Sequence, residues 1–252
     1  MNNKSVAWDF IGGEFWEYGR PTARPSKNEI ELFVKGIHHN DCCCVIGAST
    51  KDLIENILVI SNNVFVYDFS RRMCNDLQKS ISSKKLSIQE LDICAELPKE
   101  KYESMDFIVN DRLINRFDLK EIVNYLRSCY EMLRPGGLLK SSLKLGLYEM
   151  DKKLITADKN RLKSLTVFDE ENNTIDYSNT LDILEDCIIP HGSISKDKLI
   201  QWYSNRGKEK RFMNGDFEEL FNTEFSNINF HIEEKIDFID TPNTILFSMR
   251  KT

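Results

Sequence analysis

The sequence lacks the features that mark membrane, secreted and nucleic-acid-binding proteins. No apolar run approaches the roughly 18 residues that would span a bilayer. Residues 1–16 (MNNKSVAWDFIGGEFW) have no cationic start followed by an apolar stretch, so they do not read as a secretory signal. The net charge is −6 and lysine and arginine form no block, whereas a dedicated nucleic-acid binder needs a basic surface. We therefore expect a cytoplasmic monomer or homodimer that binds a small-molecule substrate, and neither nucleic acid nor membranes.

Cysteine, glycine and proline are placed in ways that exclude other classes. The seven cysteines are odd in number, include three consecutive residues at 42–44, and form no C-x-x-C pair. A disulfide framework or a zinc site needs different spacing, so we predict buried, reduced thiols and no metal site. No Pro/Gly/Ser-rich linker divides the chain. The pattern G-x-G-x-x-G is also absent, which disfavours a dinucleotide dehydrogenase.

Apolar strands alternate with helical stretches from residue 42 onwards. The predicted strands cover residues 42–46, 64–67, 86–91, 105–109 and 138–143, and the predicted helices cover 51–57, 71–80 and 119–133. Such alternation is typical of an α/β protein whose parallel sheet is flanked by helices. Two further apolar runs, 236–239 and 245–249, flank a turn at 240–243 and predict a C-terminal hairpin.

The chain divides into an N-terminal segment and one main domain. Residues 1–28 are aromatic and irregular in pattern, and we interpret them as a cap. Ser26, with Glu29 three residues later, predicts a capped helix start, and residues 29–252 form the domain. Residues 146–235 lie outside the alternating pattern and are expected to be a substrate-specific insertion.

Polar residues follow four successive predicted strands at the point where each ends. Gly47 ends the first, Asp68 the second, Asp92 the third, and Asn110 with Asp111 the fourth. A glycine allows close approach of the backbone to a ligand, and an acid about 20 positions later is placed to accept hydrogen bonds from ribose hydroxyls. Since the carboxyl ends of parallel strands form one edge, these residues predict a nucleoside-binding site there.

Five stretches resemble the class I S-adenosylmethionine-dependent methyltransferases, over roughly residues 40–145. They are residues 44–50 (CVIGAST), 66–73 (VYDFSRRM), 91–93 (LDI), 105–111 (MDFIVND) and 133–139 (LRPGGLL). The last is the most specific, because the family repeatedly carries Leu-(Arg/Lys)-Pro-Gly-Gly before its fifth strand. The first keeps only Gly47 of a usually glycine-rich motif, as does a subset of the family with an Arg-Pro-Ser stretch like residues 24–26.

The resemblance implies a Rossmann-like sheet of seven mostly parallel strands with helices on both faces, and S-adenosyl-L-methionine as cofactor. It also implies that N-terminal rings cover the sulfonium and that an N-terminal arginine pairs with the methionine carboxylate. Packing of these rings on the sheet edge is the alternative. The predicted cofactor-binding residues are Tyr18, Arg24, Gly47, Ala48, Ser49, Asp68, Phe69, Ser70, Met73, Asp92, Ile93, Asn110 and Asp111.

The function that the resemblance implies is methyl transfer to oxygen or nitrogen of a small metabolite. Positioning of the nucleophile supplies most of the catalysis, and a base is needed only when the nucleophile arrives protonated. Asp111 and His191 are the predicted bases, His191 because it lies in a loop-like stretch after the fifth strand. A surface histidine without a role is the alternative interpretation of His191.

Three other functions stay open at this point. The same scaffold can direct an internal nucleophile at the cofactor, which gives a lyase or cyclase that releases methylthioadenosine. A degenerate methyltransferase can act as a binding module, although intact polar residues at four strand ends argue against it. Nucleic-acid methylation requires a motif such as Asn/Asp-Pro-Pro-aromatic, and residues 110–113 (NDRL) do not match it.

Overall fold

The computed structural model describes residues 3–20, 23–160 and 166–252, so positions 1, 2, 21 and 22 of the predicted cap lie outside it. The helices are α1 Asn3–Ile11, α2 Glu14–Tyr18, α3 Lys27–Val34, α4 Lys51–Ile60, α5 Arg71–Ser80, α6 Leu119–Met132, α7 Glu149–Asp158, α8 Leu181–Cys187, α9 Lys196–Ser204 and α10 Asp216–Phe225. The strands are β1 Cys42–Ile46, β2 Asn63–Asp68, β3 Leu86–Glu90, β4 Met105–Asn110, β5 Leu133–Lys144, β6 Phe168–Asp169, β7 Thr174–Asp176, β8 Lys208–Lys210, β9 Phe230–Asp237 and β10 Thr244–Lys251.

Seven strands form the main sheet in the order β3-β2-β1-β4-β5-β10-β9. The first five are parallel, and β10 runs antiparallel to both β5 and β9. The strand order reverses between β1 and β4, and in open α/β sheets ligands bind in the crevice at such a point. The predicted seven-stranded α/β fold with a terminal antiparallel hairpin is confirmed.

Alternating side chains of β1 supply both faces of the core. Cys43 and Val45 pack in the cluster that contains side chains of α3, α4 and α5. Cys44 and Ile46 pack in the cluster that contains side chains of α6 and α10. A strand buried on both faces needs a continuous apolar run, which explains the consecutive cysteines. None of the seven cysteines, which all lie within the described residues, forms a disulfide, and burial raises the pKa of Cys43 to about 12, so its thiol stays neutral.

The structure differs from the predicted elements at three places. Residues 3–18, expected to be irregular, form α1 and α2. The Arg-Pro-Gly-Gly stretch is part of β5, where the pairing with β4 shifts between Met105 and Phe107. The hairpin's first strand ends at Asp237, and Ile239 lies 92% exposed in the connection. The predicted capping box of Ser26 and Glu29 is present at the start of α3.

A second, smaller unit lies between β5 and β9. It contains the antiparallel sheet β6-β7-β8 with α7, α8 and α9, and its apolar core includes Leu154, Ile175 and Leu184. The buried Arg211 guanidinium connects it to the main domain, since it donates to Asp151 at 2.6 Å and to the carbonyl of Asn115 at 3.0 Å. No helix within the described ranges is long and apolar enough to cross a membrane.

Candidate active site

The loop after β1 leaves open space beside its glycine. Gly47 has φ +98°, and a Cβ built there would meet no atom closer than Ser49 Oγ at 4.0 Å. The Gly47 N–H donates to the Tyr67 carbonyl at 2.8 Å, which holds the loop beside β2. Helix α4 follows directly, and the side chain of its N-cap residue Thr50 makes no capping hydrogen bond. Free N–H groups at a helix start favour an anionic group such as a carboxylate.

Asp68, the last residue of β2, is hydrogen-bonded to this loop. Its carboxylate accepts hydrogen bonds from the N–H groups of Ala48 and Ser70, both at 2.7 Å. Burial raises the pKa of Asp68 to about 6, because the two hydrogen bonds offset desolvation only in part and Asp9 adds a repelling charge. The carboxylate is therefore held in place by the backbone and sits near the midpoint of its titration at mildly acidic pH.

The N-terminal helix α1 packs over the start of α5. Ser70 Oγ donates to Asp9 Oδ1 at 2.5 Å and accepts from the Met73 N–H at 3.1 Å, so it caps α5 and holds α1 at once. The side chain of Met73 is fully buried in the core and lines none of the three cavities described below. Helix α1 thus covers the edge at which the predicted ribose-binding residues lie.

A cavity of about 270 Å³ opens at the carboxyl ends of β1, β4 and β5. Side chains from α1, α2, α7 and α9 complete its walls. It brings together Ser49, Asp111 and His191 of the predicted site. The other lining residues are Trp8, Phe15, Arg20, Ala23, Thr50, Arg112, Leu113, Arg116, Lys144, Tyr148, Glu149, Met150, Tyr177, Ile189, Trp202, Tyr203, Arg206 and Thr241.

Asp111 and Asn110 are committed to different partners. Asp111 accepts from Arg112 Nε at 2.9 Å and from Ser142 Oγ at 2.6 Å, and it lines the cavity as one half of an ion pair. Asn110 is fully buried between strands, where it donates to the Tyr125 hydroxyl and accepts from Ser141 Oγ at 2.7 Å. Asp111 therefore lines the cavity with its negative charge paired to Arg112. Asn110 is not in the cavity wall, and its hydrogen bonds hold the end of β4 in place.

His191 is held among aromatic rings at the cavity wall. Its ring centroid lies 5.4 Å from that of Phe15 and 6.1 Å from that of Trp202. The Nε2 atom is buried and has no hydrogen-bond partner in the described part of the chain. Burial, reinforced by nearby arginines, lowers the pKa of His191 to about 4. The imidazole is neutral at physiological pH, and its Nε2 atom is enclosed beside Gly19.

Two more side chains of the cavity wall have a buried polar atom without a partner among the described residues. Tyr148 Oη and Trp202 Nε1 are both buried and unpaired. A buried polar group without a partner costs about 1–3 kcal/mol, so this wall of the cavity holds three polar atoms whose hydrogen bonds the described residues leave unmade.

Three more of the predicted cofactor-binding residues line a separate and much smaller cavity. Phe69, Asp92 and Ile93 border about 20 Å³, and Lys4 and Trp8 of α1 form part of the opposite wall. Trp8, Leu113, Arg116 and Arg206 line both cavities, so α1 shares the partition between them with residues after β4 and α9. In this arrangement α1 occupies the space next to the third strand end.

Tyr18 and Arg24 lie at the edge of the site. The Tyr18 side chain is 50% exposed, and its carbonyl accepts from the Ser193 N–H at 2.8 Å. Arg24 has a buried Nε without a partner in the described residues, and it adds positive charge near His191. The N-terminal residues that line the cavity are instead Trp8, Phe15, Arg20 and Ala23.

Sequence reasoning missed four cationic residues of the cavity wall. They are Arg112, Arg116, Lys144 and Arg206. Arg112 follows a strand end and Lys144 is the last residue of β5, so the strand-end rule would have found both. Arg206 follows α9 in the insertion, where no pattern in the sequence indicates the site.

A wider groove of about 730 Å³ lies at the other edge of the sheet. It is lined by Asp106 and Phe107 at the start of β4 and by residues 135–138 of β5. Because ligands of open α/β sheets bind at the carboxyl ends of the strands, the cavity of about 270 Å³ is the candidate site.

The comparisons with known proteins agree on the fold. The family described as "Methyltransferase domain" matches residues 40–137. A Burkholderia thailandensis 1,6-didemethyltoxoflavin-N1-methyltransferase, solved with 1,6-didemethyltoxoflavin and S-adenosylhomocysteine, superposes with a TM-score of 0.57 at 10% identity, over 90% of this chain and 77% of that one. An S-adenosylmethionine-dependent methyltransferase from Mesorhizobium loti superposes with a TM-score of 0.53 at 12% identity, over 88% and 95%. No curated protein matches the sequence.

A Rhodobacter sphaeroides protein is similar over the full length of both chains, with 37% identity and a TM-score of 0.94. It is provisionally described as a Zn-dependent alcohol dehydrogenase. Dinucleotide-binding dehydrogenases have the parallel order 3-2-1-4-5-6, whereas an antiparallel β10 follows β5 here. Within residues 3–20, 23–160 and 166–252, no group of three or more His, Cys, Asp or Glu side chains is placed to hold a metal ion.

Proposed function

We propose that the chain, whose residues 40–137 match the methyltransferase domain family, is a class I S-adenosylmethionine-dependent methyltransferase that methylates oxygen or nitrogen of a small-molecule metabolite. The observation that carries this proposal is the cavity of about 270 Å³, which joins the loop after β1 to Asp111 and His191. Its size and its mixture of apolar walls with a few polar atoms suit a small substrate. The cytoplasmic location stays a prediction.

The cofactor, S-adenosylmethionine, suits the residues at the strand ends. When bound, it supplies a methyl group on positively charged sulfur, which leaves as neutral S-adenosylhomocysteine. The open backbone at Gly47 and the uncapped start of α4 are arranged for a carboxylate, with Ser49 at the cavity wall and Arg20 as the cationic partner. Asp68 offers its carboxylate to ribose hydroxyls, supported from behind by the two backbone donors.

The adenosine end requires movement of α1. The space between Phe69, Asp92 and Ile93 holds only about 20 Å³ while Lys4 and Trp8 occupy it, which is far less than an adenine ring needs. We propose that residues 1–28 act as a cap, in which α1 moves aside to admit the cofactor and then covers it. Asp9, fixed to Ser70 Oγ, is the contact that this movement breaks.

His191 is the proposed base for a substrate that arrives protonated. Its neutral imidazole has an unpaired Nε2 that can accept a proton from an O–H or N–H group as the new bond to carbon forms. Asp111 is a weaker choice, since its carboxylate is already paired with Arg112. We assign Asp111 to orienting Arg112 and the strand end.

A product analysis tests the proposal. The full-length protein is incubated with S-adenosylmethionine and a panel of small metabolites, and the mixture is analysed by mass spectrometry. We expect S-adenosylhomocysteine together with one metabolite heavier by a methyl group. Methylthioadenosine formed without any second substrate would contradict methyl transfer and favour cleavage or cyclisation of the cofactor.

His191→Asn separates the base from the binding residues. If His191 accepts the substrate proton, kcat falls by about 10²-fold or more while KM changes little. An equal loss in a variant of Tyr18, whose side chain is half-exposed at the edge of the site, would instead indicate general disturbance of the cap.

A further inference from the structure

The main cavity has more positive than negative charge in its walls. Five cationic side chains line it, Arg20, Arg112, Arg116, Lys144 and Arg206, against the two acids Asp111 and Glu149. Asp111 forms an ion pair with Arg112 at 2.7 Å. Behind the wall, Glu209 pairs with Arg206 at 2.7 Å and lies 3.5 Å from Arg116. Three carboxylates therefore lie beside five cationic side chains, which leaves a surplus of two positive charges.

Lys144 and Arg20 contribute most directly to this surplus, because carbonyl groups and not carboxylates accept their hydrogen bonds. Within the described residues, the Lys144 ammonium donates to the carbonyl of Pro242 at 2.9 Å, and Arg20 donates to the carbonyl of Pro190 at 2.6 Å. A carbonyl satisfies one donor but neutralises no charge. Burial, together with the charges of Arg112 and Lys152, lowers the pKa of Lys144, as expected for a cation in a positive environment.

The cofactor does not remove the surplus. S-adenosylmethionine carries one carboxylate, one ammonium and one sulfonium, so it brings a net charge of +1 into the site. A second ligand that enters the loaded cavity next to these cations is therefore stabilised if it is an anion.

The other residues of the cavity wall indicate the shape and polarity of that ligand. Trp8 packs edge to face against Phe15 and Trp202, with centroid distances of 5.2 Å and 5.5 Å. Tyr148 has an unpaired hydroxyl, and the Arg116 guanidinium lies 5.3 Å from its ring centroid. Aromatic rings beside a cationic group suit a flat apolar molecule with a charged end.

Resting on the methyl transfer proposed above, we propose that the substrate is a small aromatic carboxylate. Its carboxylate binds Lys144 and Arg116 and accepts the hydroxyl hydrogen of Tyr148. Its ring packs against Trp8 and Trp202.

Benzoate and benzamide distinguish charge from shape, because they are nearly the same size and only benzoate is an anion. The full-length protein is first titrated with S-adenosylhomocysteine, and the loaded protein is then titrated with each probe by calorimetry. We expect benzoate to bind at least about tenfold more tightly, as for one charged hydrogen bond. Equal binding, tighter binding of benzamide, or no binding of either probe would overturn the proposal.

Lys144→Gln is expected to abolish the preference for benzoate, and Arg116→Gln is the second variant in case the first does not fold. Arg250→Gln is the matched control, because Arg250 pairs with Glu233 on β9, outside the cavity. A preference that survives both cavity variants contradicts the assignment, and so does a preference lost in Arg250→Gln.

The imidazole of His191 gives an independent readout. Arg20, Arg24, Arg116 and Arg206 act on it electrostatically. The chain has only four histidines, so their NMR signals are separable. Benzoate should raise the pKa of His191 from about 4 towards its ordinary value of 6.5, whereas benzamide should not. An unchanged pKa with bound benzoate places the anion elsewhere.

The two proposals fail separately. If S-adenosylhomocysteine does not bind, the proposed function is wrong, and the benzoate and benzamide titrations of the unloaded protein still decide the anion site. If S-adenosylhomocysteine binds and benzoate has no advantage, only the substrate class is wrong.

Discussion

The carboxylate of Asp68 accepts the N–H of Ala48 at 2.7 Å and thereby joins the end of β2 to the loop after β1. The same carboxylate accepts the N–H of Ser70, so both of its oxygens are fixed by backbone before any ligand arrives. Such preorganisation lowers the cost of ordering a binding group.

Cofactor affinity should depend on the ionisation of Asp68. The pKa of Asp68 is raised from 3.8 to about 6, and ribose hydroxyls donate best to the ionised carboxylate. We expect the affinity for S-adenosylhomocysteine to be constant above about pH 7 and to fall as the pH drops below 6. Calorimetric titrations between pH 5 and pH 8 measure it.

Asp68→Asn is the control for this pH dependence. It should bind about tenfold or more weakly at pH 8 and show a flat profile. Without ligand, the raised pKa means that wild type binds an extra proton when folded, so it loses stability relative to Asp68→Asn as the pH rises from 4 through 6. A wild-type binding profile that is flat through pH 6 contradicts the role of Asp68.

Gly47→Ala should reduce both stability and cofactor affinity. A left-handed backbone costs a non-glycine residue about 1–3 kcal/mol, and Gly47 has φ +98°. Gly36→Ala is the matched control, since Gly36 has φ +90° and lies in the turn after α3, at the other edge of the sheet. Both variants should lose similar unfolding free energy in urea, but only Gly47→Ala should weaken S-adenosylhomocysteine binding. Equal affinities would remove Gly47 from the site.

The sequence predicts the parts of this protein that depend on local pattern. The buried run of β1, the capping box of Ser26 with Glu29 and the helix α6 need only apolar spacing and short-range hydrogen bonds. The strand-end rule likewise brings Ser49 and Asp111 to one cavity.

The roles of the other residues depend on partners that are distant along the chain, and no local sequence pattern shows those partners. Asn110 reads like a site residue, but Tyr125 and Ser141, from α6 and β5, use its amide. Met73 follows a cofactor motif, yet the inward face of α5 buries it. The cationic wall joins the loop after β4 to Arg206, 90 residues away along the chain, through Glu209.

Loss of the Lys4 ammonium should speed up cofactor entry. Lys4 Nζ donates to the carbonyls of Arg116 at 2.9 Å and Lys208 at 2.6 Å and pairs with Glu121, so it fastens α1 over the small cavity. We expect Lys4→Met to raise the association rate of S-adenosylhomocysteine in stopped-flow fluorescence. Lys120→Met changes an exposed lysine and should have no effect. An unchanged rate in Lys4→Met argues against an opening movement of α1.

Arg211→Met should strongly destabilise the protein. Arg211 is fully buried and pairs with Asp151 at 2.6 Å and Glu209 at 2.9 Å, and its loss leaves two buried carboxylates with fewer partners. Removing one partner of such a pair costs about 3–5 kcal/mol. Arg250→Met breaks an exposed pair and should cost about 1 kcal/mol or less. Urea unfolding compares them, and similar losses would mean that burial of the network contributes little.

Calorimetric titration of the full-length protein with S-adenosylmethionine, with the products identified afterwards, tests the central claim most directly. The account predicts saturable binding near one cofactor per chain, reduced at least about tenfold in Asp68→Asn, with the cofactor intact until a methyl acceptor is added. Absence of binding, or wild-type affinity in Asp68→Asn, would contradict it.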